Sequence, residues 1–242
     1  MNLAIDVGNT SVKLGVFHNN ILHHKETCAL DNFSETIHRL FQEFPTIQHC
    51  IISSVGKLSK NQVLKVTELC AVIELNHETK IPFINKYGTP TTLGLDRIAL
   101  ISAASHQYYK QNVLVIDAGT CITYDFISDN NEYLGGAISP GIAQRYKSLN
   151  TFTANLPLLE KTNPATLTGN NTANSIHAGI INGVLFELNG FIKAYDKKYK
   201  NLTVILTGGD IHFLRDSIKN DIFANSNFLL EGLNHILEYN KH

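Results

Sequence analysis

What this chain has little of narrows it first. Charge of neither sign is in excess, with 20 Lys plus Arg against 21 Asp plus Glu and a net charge of −1. No broad field is available to hold nucleic acid or an anionic membrane, and neither partner is expected. No apolar run approaches the roughly 18 residues of a membrane span. Nor does a basic, apolar leader precede the first strand, which begins at Asn2. A soluble, cytoplasmic enzyme is expected. The four cysteines, Cys28, Cys50, Cys70 and Cys121, show no CxxC or other metal-ligand spacing and sit in or beside apolar stretches, so they read as reduced core thiols. Charge runs and low-complexity tracts are missing as well.

Several chemistries drop out with their motifs. No GxxxxGK[ST] is present: Gly56-Lys57-Leu58-Ser59 lacks both the upstream glycine and the adjacent Lys and Ser of a P-loop. GxGxxG, GxSxG and HExxH do not occur. His18, His23 and His24 lie close in sequence but without a fourth ligand, and they read as surface histidines.

What is present is a repeat. Leu3-Ala4-Ile5-Asp6-Val7-Gly8-Asn9-Thr10 and Leu114-Val115-Ile116-Asp117-Ala118-Gly119-Thr120-Cys121 are both apolar runs ending on Asp-x-Gly. Each reads as a buried strand whose glycine lets the backbone turn sharply and approach a ligand closely. Around each lies the same order of elements. In the first half, strands over 11–17 and 21–29 flank a turn at His18-Asn19-Asn20, followed by a helix carrying Phe33, Ile37, Leu40 and Phe41, with Asn32 and Glu35 as its capping pair. A strand from Cys50 to Gly56, a helix capped by Ser59 and Gln62, and a strand from Ala71 to Leu75 complete it. In the second half, Ile122 to Ile127, a turn at Asp129-Asn130-Asn131 and Tyr133 to Gly136 form the meander. A long apolar helix from about Ser175 to Tyr195 follows, and then Leu202 to Thr207 runs into Gly208-Gly209-Asp210. Hairpin strands first, then strands alternating with helices, indicate an α/β fold with a mixed sheet flanked by helices in each half. The expected domains are 1–111 and 112–242. The stretches 76–93 and 156–171 read as long ordered loops.

Four segments could carry chemistry. Asp6-Val7-Gly8-Asn9-Thr10-Ser11-Val12-Lys13 combines backbone N–H groups at a glycine turn, neutral hydrogen-bonding side chains, a carboxylate and a lysine, which suits a phosphate with its cation. Ordinary hairpin chemistry would also explain it. Asp117-Ala118-Gly119-Thr120, with Thr123 and Asp125, offers a hydroxyl for phosphate and a carboxylate for a cation, or merely a turn. Gly94-Leu95-Asp96-Arg97 opens a helix, where Asp96 is either a dipole partner or a base for a hydroxyl proton beside an anion-binding Arg97. Leu206-Thr207-Gly208-Gly209-Asp210 permits close approach of a base and ribose, or is a plain strand-to-helix turn.

In this order, together with Gly135-Gly136-x-Ile138-x-Pro140-Gly141, these segments resemble the type III pantothenate kinases of the acetate and sugar kinase, chaperone ATPase and actin superfamily. The resemblance runs over essentially the whole chain. It implies duplicated actin-like (ribonuclease H-like) domains with a cleft between them, and transfer of the γ-phosphoryl of ATP to the primary hydroxyl of pantothenate, the first step toward coenzyme A. Asp6 to Lys13 (Asp6, Val7, Gly8, Asn9, Thr10, Ser11, Val12 and Lys13) would bind ATP phosphates with Thr120. Tyr87, Gly94, Leu95, Asp96 and Arg97 would bind pantothenate, with Asp96 as the general base. Thr172 would contact pantothenate across a homodimer interface, although its position also suits an N-cap. Asp117 would hold a monovalent cation, K+ or NH4+, and Mg2+ would accompany ATP. Leu95 stands where the family usually has alanine or valine, and Cys121 where alanine is common. Another kinase or phosphatase of the superfamily, or a nucleotide-binding regulator, stays open as an alternative.

Overall fold

The computed structural model describes residues 1–8, 11–54, 58–218 and 222–241. In chain order its elements are β1 (Asn2–Val7), β2 (Val12–His18), β3 (Ile21–Cys28), α1 (Phe33–Glu43), β4 (His49–Ser54), α2 (Lys60–Thr67), β5 (Ala71–Glu74), β6 (Ile84–Asn85), α3 (Leu95–Gln107), β7 (Asn112–Ala118), β8 (Cys121–Ile127), β9 (Glu132–Pro140), α4 (Ile142–Phe152), α5 (Thr172–Lys198), β10 (Leu202–Thr207), α6 (Ile211–Leu214), β11 (Phe223–Ala224) and α7 (Phe228–Tyr239). They form two compact units. Unit 1 is Met1–Lys110 with Asn131–Tyr133 and Asn227–His242, and unit 2 is Gln111–Asn130 with Leu134–Ser226. These divisions differ from 1–111 and 112–242 because the last helix and Asn131–Tyr133, which includes the first two residues of β9, group with the first half.

In unit 1 the strands lie in the order β3-β2-β1-β4-β5. β1 pairs antiparallel with β2 and parallel with β4, which in turn pairs parallel with β5. In unit 2 the order is β9-β8-β7-β10-β11, with β7 antiparallel to β8 and parallel to β10. Numbered within each half, five strands of each sheet read 3-2-1-4-5, so the sequence repeat is a repeat of topology; β6 adds a sixth strand to the second sheet, beside the start of β9. The meanders follow from turn chemistry. Asn19 and Asn20 both take positive φ (49° and 63°), the pair that a two-residue hairpin demands and that asparagine tolerates.

Strand alternation decides what faces the core. Ile5, Val7, Leu14 and Ile52 join Phe33, Ile37 and Leu40 of α1 in one buried cluster. Ile116, Ala118, Ile122 and Tyr124 do the same with Ile176, Ile180, Val184 and Leu188, which recur at helical spacing along α5. Each intervening residue, Asp6 or Asp117, must therefore face the other way. α7 covers that other face in unit 1, packing on β1 and on α3. Helix contact is close there: a Cβ on Gly232 would lie 1.9 Å from the Ala99 carbonyl oxygen. Consequently α3 is buried without interruption from Arg97 to Ser105.

Local signals are met unevenly. Ser59 and Gln62 make the reciprocal capping box at the start of α2. Asn32 is the N-cap of α1 but makes no side-chain capping bond, because a 3-10 turn (Leu30–Asn32) runs directly into the helix and leaves it in a helical-like conformation. The cap of α5 is Asn171, which accepts from the Asn174 N–H at 2.9 Å, and Thr172 is the first helical residue, not the cap. Gly56, which was to close the strand of β4, lies outside the described residues.

Candidate functional site

Strand register assembles the first part of the site. Asp6 is directly opposite Lys13 on β2 and Ser53 on β4, so the three side chains share one face of the sheet. Asp6 and Ser53 are buried. At the tip, the Gly8 N–H donates to the Ser11 carbonyl at 3.1 Å and closes the turn. Asn9 and Thr10, expected to bind phosphate, lie outside the described residues. Val7 and Val12, the last pair of the hairpin, are core residues that anchor the loop.

Burial dominates the electrostatics of Asp6. Its carboxyl is pushed up from 3.8 to about 6 by desolvation, pulled down by the Lys13 ammonium and pushed up again by the charge of Asp96. The phosphate-clamp candidate thus feels the candidate base, and both belong to unit 1. Asp96 stands exposed in the first turn of α3, where its Oδ1 accepts from the Arg97 N–H at 2.8 Å. Gly94 makes room for it, since a Cβ there would come within 2.4 Å of Asp96 Oδ1. Leu95, the first residue of α3, is half-buried. Arg97 is only 5% exposed and lays its guanidinium over the Tyr87 ring, 5.5 Å from the centroid.

The second half repeats the register with one exchange. Asp117 lies opposite Thr123 on β8 and Thr207 on β10, so Thr123 stands where Lys13 stands in the first half and Thr207 where Ser53 does. Asp117 therefore has a hydroxyl, not an ammonium, across the hairpin. Thr123 faces away from Ile122, as alternation requires; it is 8% exposed, and its Oγ1 has no hydrogen-bond partner among the described residues. Asp125, further along β8, is fully buried. Two glycines close the site by backbone contact. Gly208 has φ 99°, and a Cβ there would sit 2.3 Å from the Ala118 carbonyl oxygen and 2.4 Å from Asp117 Oδ1. At Gly141 a Cβ would meet the Gly119 oxygen at 2.1 Å, and its N–H donates to the Thr120 carbonyl at 3.0 Å. Thus the Thr-Gly-Gly and Gly-Gly-x-Ile-x-Pro-Gly segments both lean on the Asp117-to-Thr120 turn. Thr172 is exposed and lines a groove of about 670 Å3 in unit 2 with Arg145, Ser175 and Ile176.

Two features of the site carry no local sequence signal. Ser53 is recognisable only from its register with Asp6. Tyr133, which stacks on Tyr87, comes from the other half of the sequence.

A duplicated 3-2-1-4-5 fold with a carboxylate at the first hairpin of each half defines the class as the two-domain actin-like fold. A crystal structure of a Campylobacter jejuni protein described as a Baf family transcriptional activator superposes with a TM-score of 0.64 at 25% identity, covering 98% of each chain. Component A of (R)-2-hydroxyglutaryl-CoA dehydratase from Acidaminococcus fermentans shares the fold at 10% identity, with a TM-score of 0.51 over 98% of this chain and 96% of that one. The family profile of type III pantothenate kinases matches residues 2–194. Curated type III pantothenate kinases of Christiangramia forsetii and Flavobacterium johnsoniae are 51% and 46% identical, covering 100% and 99% of this chain and 99% and 98% of theirs. The chain belongs to the type III pantothenate kinase family.

The raised Asp6 value fixes a sign. Folding favours the protonated carboxyl, so its contribution to stability is complete below pH 3.8 and is lost as the pH rises through about 6. At neutral pH the ionised group costs roughly 3 kcal/mol, an order of magnitude taken from the size of the shift. Asp6→Asn is expected to melt higher than the parent above pH 6, with the difference shrinking toward pH 4, in thermal scans across that range. A difference that does not change with pH would contradict the assignment.

Proposed function

We propose that the chain phosphorylates pantothenate, moving the γ-phosphoryl of ATP to its primary hydroxyl. Membership of the family supports the reaction, and the electrical contact between Asp6 and Asp96 supports the site. Asp6, Ser11, Lys13 and the Gly8 turn take the triphosphate, together with Asn9 and Thr10. The family resemblance assigns a phosphate-binding hydroxyl to Thr120 as well. The acceptor is held by Tyr87, Gly94, Leu95, Asp96 and Arg97, with Arg97 matched to its carboxylate.

The physics assigns modest but separate duties to these groups. Phosphoryl transfer passes through a loose transition state, so placement and charge neutralisation carry most of the catalysis. Lys13 balances negative charge on the transferring group, and the buried Asp6 orients the phosphates, with a carboxylate available to the Mg2+ that accompanies ATP. A carboxylate is a far weaker base than the alkoxide that loss of the alcohol's proton would leave. Asp96 therefore aligns the hydroxyl first and takes its proton late, as the new P–O bond forms.

A monovalent cation, K+ or NH4+, fits the second half. Asp117 supplies a carboxylate, and Thr123 a buried hydroxyl oxygen without a partner, both hard oxygen donors on one face of the sheet. Such a cation would supply positive charge where this hairpin has Thr123, not a lysine, opposite the carboxylate.

A homodimer completes the reading. α5 carries Gly179, Gly183 and Gly190 with open space at each missing Cβ, and Phe186 at 64% exposure, all at spacings that return to one side of the helix. Thr172 begins the same helix.

Three outcomes are expected. A coupled ADP-release assay should show pantothenate-dependent turnover in K+ that is lost in Na+; turnover with another acceptor but not with pantothenate would replace the substrate. Asp96→Asn should retain binding of both substrates while turnover falls on the order of 10²-fold or more; near-normal turnover removes Asp96 as base. Sedimentation should give a dimer, and Phe186→Glu should yield monomers of reduced activity, whereas a fully active monomeric parent would rule out a role for Thr172 across an interface.

A further inference from the structure

The segment 76–93 resembles a loop in sequence, yet it is fixed at many points within unit 1. Its short strand β6 pairs in parallel with the start of β9, Ile84 with Glu132 and Asn85 with Tyr133. The Ile84 N–H donates to the Asn131 carbonyl at 2.9 Å and the Lys86 N–H to the Tyr133 carbonyl at 3.0 Å. Asn131 is tied in turn to the Pro82 carbonyl at 2.9 Å and accepts from Ser105 of α3 at 2.7 Å. The Tyr87 N–H donates to Asn85 Oδ1 at 3.0 Å, which turns the chain just beyond the paired residues.

That backbone pairing has a side-chain consequence. Tyr133, fully buried, stacks on Tyr87 with ring centroids 6.0 Å apart and planes 27° apart. Phe83 also meets Tyr133, edge-on, with centroids 6.0 Å apart and planes 72° apart. Arg97 then lies over Tyr87. The order is Phe83, Tyr133, Tyr87, Arg97: two immobile rings, then a half-buried ring, then the guanidinium. A tyrosine alone at position 87 could swing about its χ1. Stacked against a ring that is itself fully buried and in contact with Phe83, it offers Arg97 one face in one place.

We infer that Tyr133 is a positioning residue for the acceptor: it sets the Tyr87 ring and, through that ring, the guanidinium of Arg97 that receives the acceptor's anionic end. It touches neither the acceptor nor ATP. The inference rests on the proposed roles of Tyr87 and Arg97. A residue with this duty affects how well the acceptor is held more than how fast the held acceptor reacts, and leaves ATP binding alone.

The test measures steady-state constants for both substrates in the full-length protein with Tyr133→Leu and Tyr133→Met, which keep apolar bulk without a ring, and Tyr133→Phe, which keeps the ring. Expected are a rise in KM for pantothenate of about tenfold in the Leu and Met variants, kcat within about threefold, an unchanged KM for ATP, and near-parental values for Phe. In the double variant Tyr87→Ala/Tyr133→Leu, KM should rise no further than in Tyr87→Ala alone, since both changes break one chain of contacts. The inference is overturned if KM for pantothenate stays at the parental value in the Leu and Met variants. It is equally overturned if only kcat falls, as loss of folded protein would give, or if Tyr133→Phe is as impaired as Tyr133→Leu. Tyr87→Ala and Arg97→Ala serve as the reference: should neither raise KM for pantothenate, the acceptor site itself has been misassigned.

Discussion

Everything in the candidate site depends on where strand pairing forces one carboxylate to stand. Ile5 and Val7 must face α1, so Asp6 between them must face the other way, opposite Lys13 and Ser53. A carboxylate nine-tenths out of water is costly to ionise, and the rise of Asp6 to about 6 expresses that cost. Lys13 offsets part of it. The remainder is an unmet demand for positive charge beside the carboxylate, which suits the cation of the proposed phosphate site. Where the same geometry recurs around Asp117, threonine replaces lysine, which is why the proposed monovalent cation is placed there.

The reacting end is made rigid by a different means. α3 is buried along most of its length because α7 and the sheet lie against it, and the close approach at Gly232 allows little freedom between the helices. Exposed Asp96 and buried Arg97 stand in the first turn of this fixed element, which for the proposed acceptor site is a better platform than a free loop. The wall opposite Arg97 is a loop by composition but is held by two backbone hydrogen bonds of β6 and by stacked rings. Placement here comes from packing, and phosphoryl transfer draws on placement more than on strong acid or base.

The halves thus share a scaffold and divide its duties. Glycines at 141 and 208 allow two later segments to contact the Asp117 turn through backbone atoms, and substituting either would push the turn away from its neighbours. In the first half Gly94 does something smaller in scale and as specific, leaving room for the carboxylate two residues on.

The sequence by itself determined what repeats at short range. Alternation assigned the faces of β1 and β7, paired asparagines set the β2–β3 turn, Ser59 and Gln62 marked the start of α2, and apolar spacing outlined α5. The Asp-x-Gly turns and Gly-x-Asp-Arg named the candidate chemistry for the same reason: each is a local unit whose residues need only their neighbours. Capping was less secure, since Asn32 and Thr172 have suitable side chains but the backbone entering each helix places the cap function differently. Tertiary structure alone decided that α7 packs with the first half, that Ser53 joins Asp6, and that 131–133 reaches back to brace Tyr87. Those contacts join residues far apart in the chain through strands as short as two residues, too short for any period or turn signal to announce, and they form only where the rest of the fold has already brought the segments together.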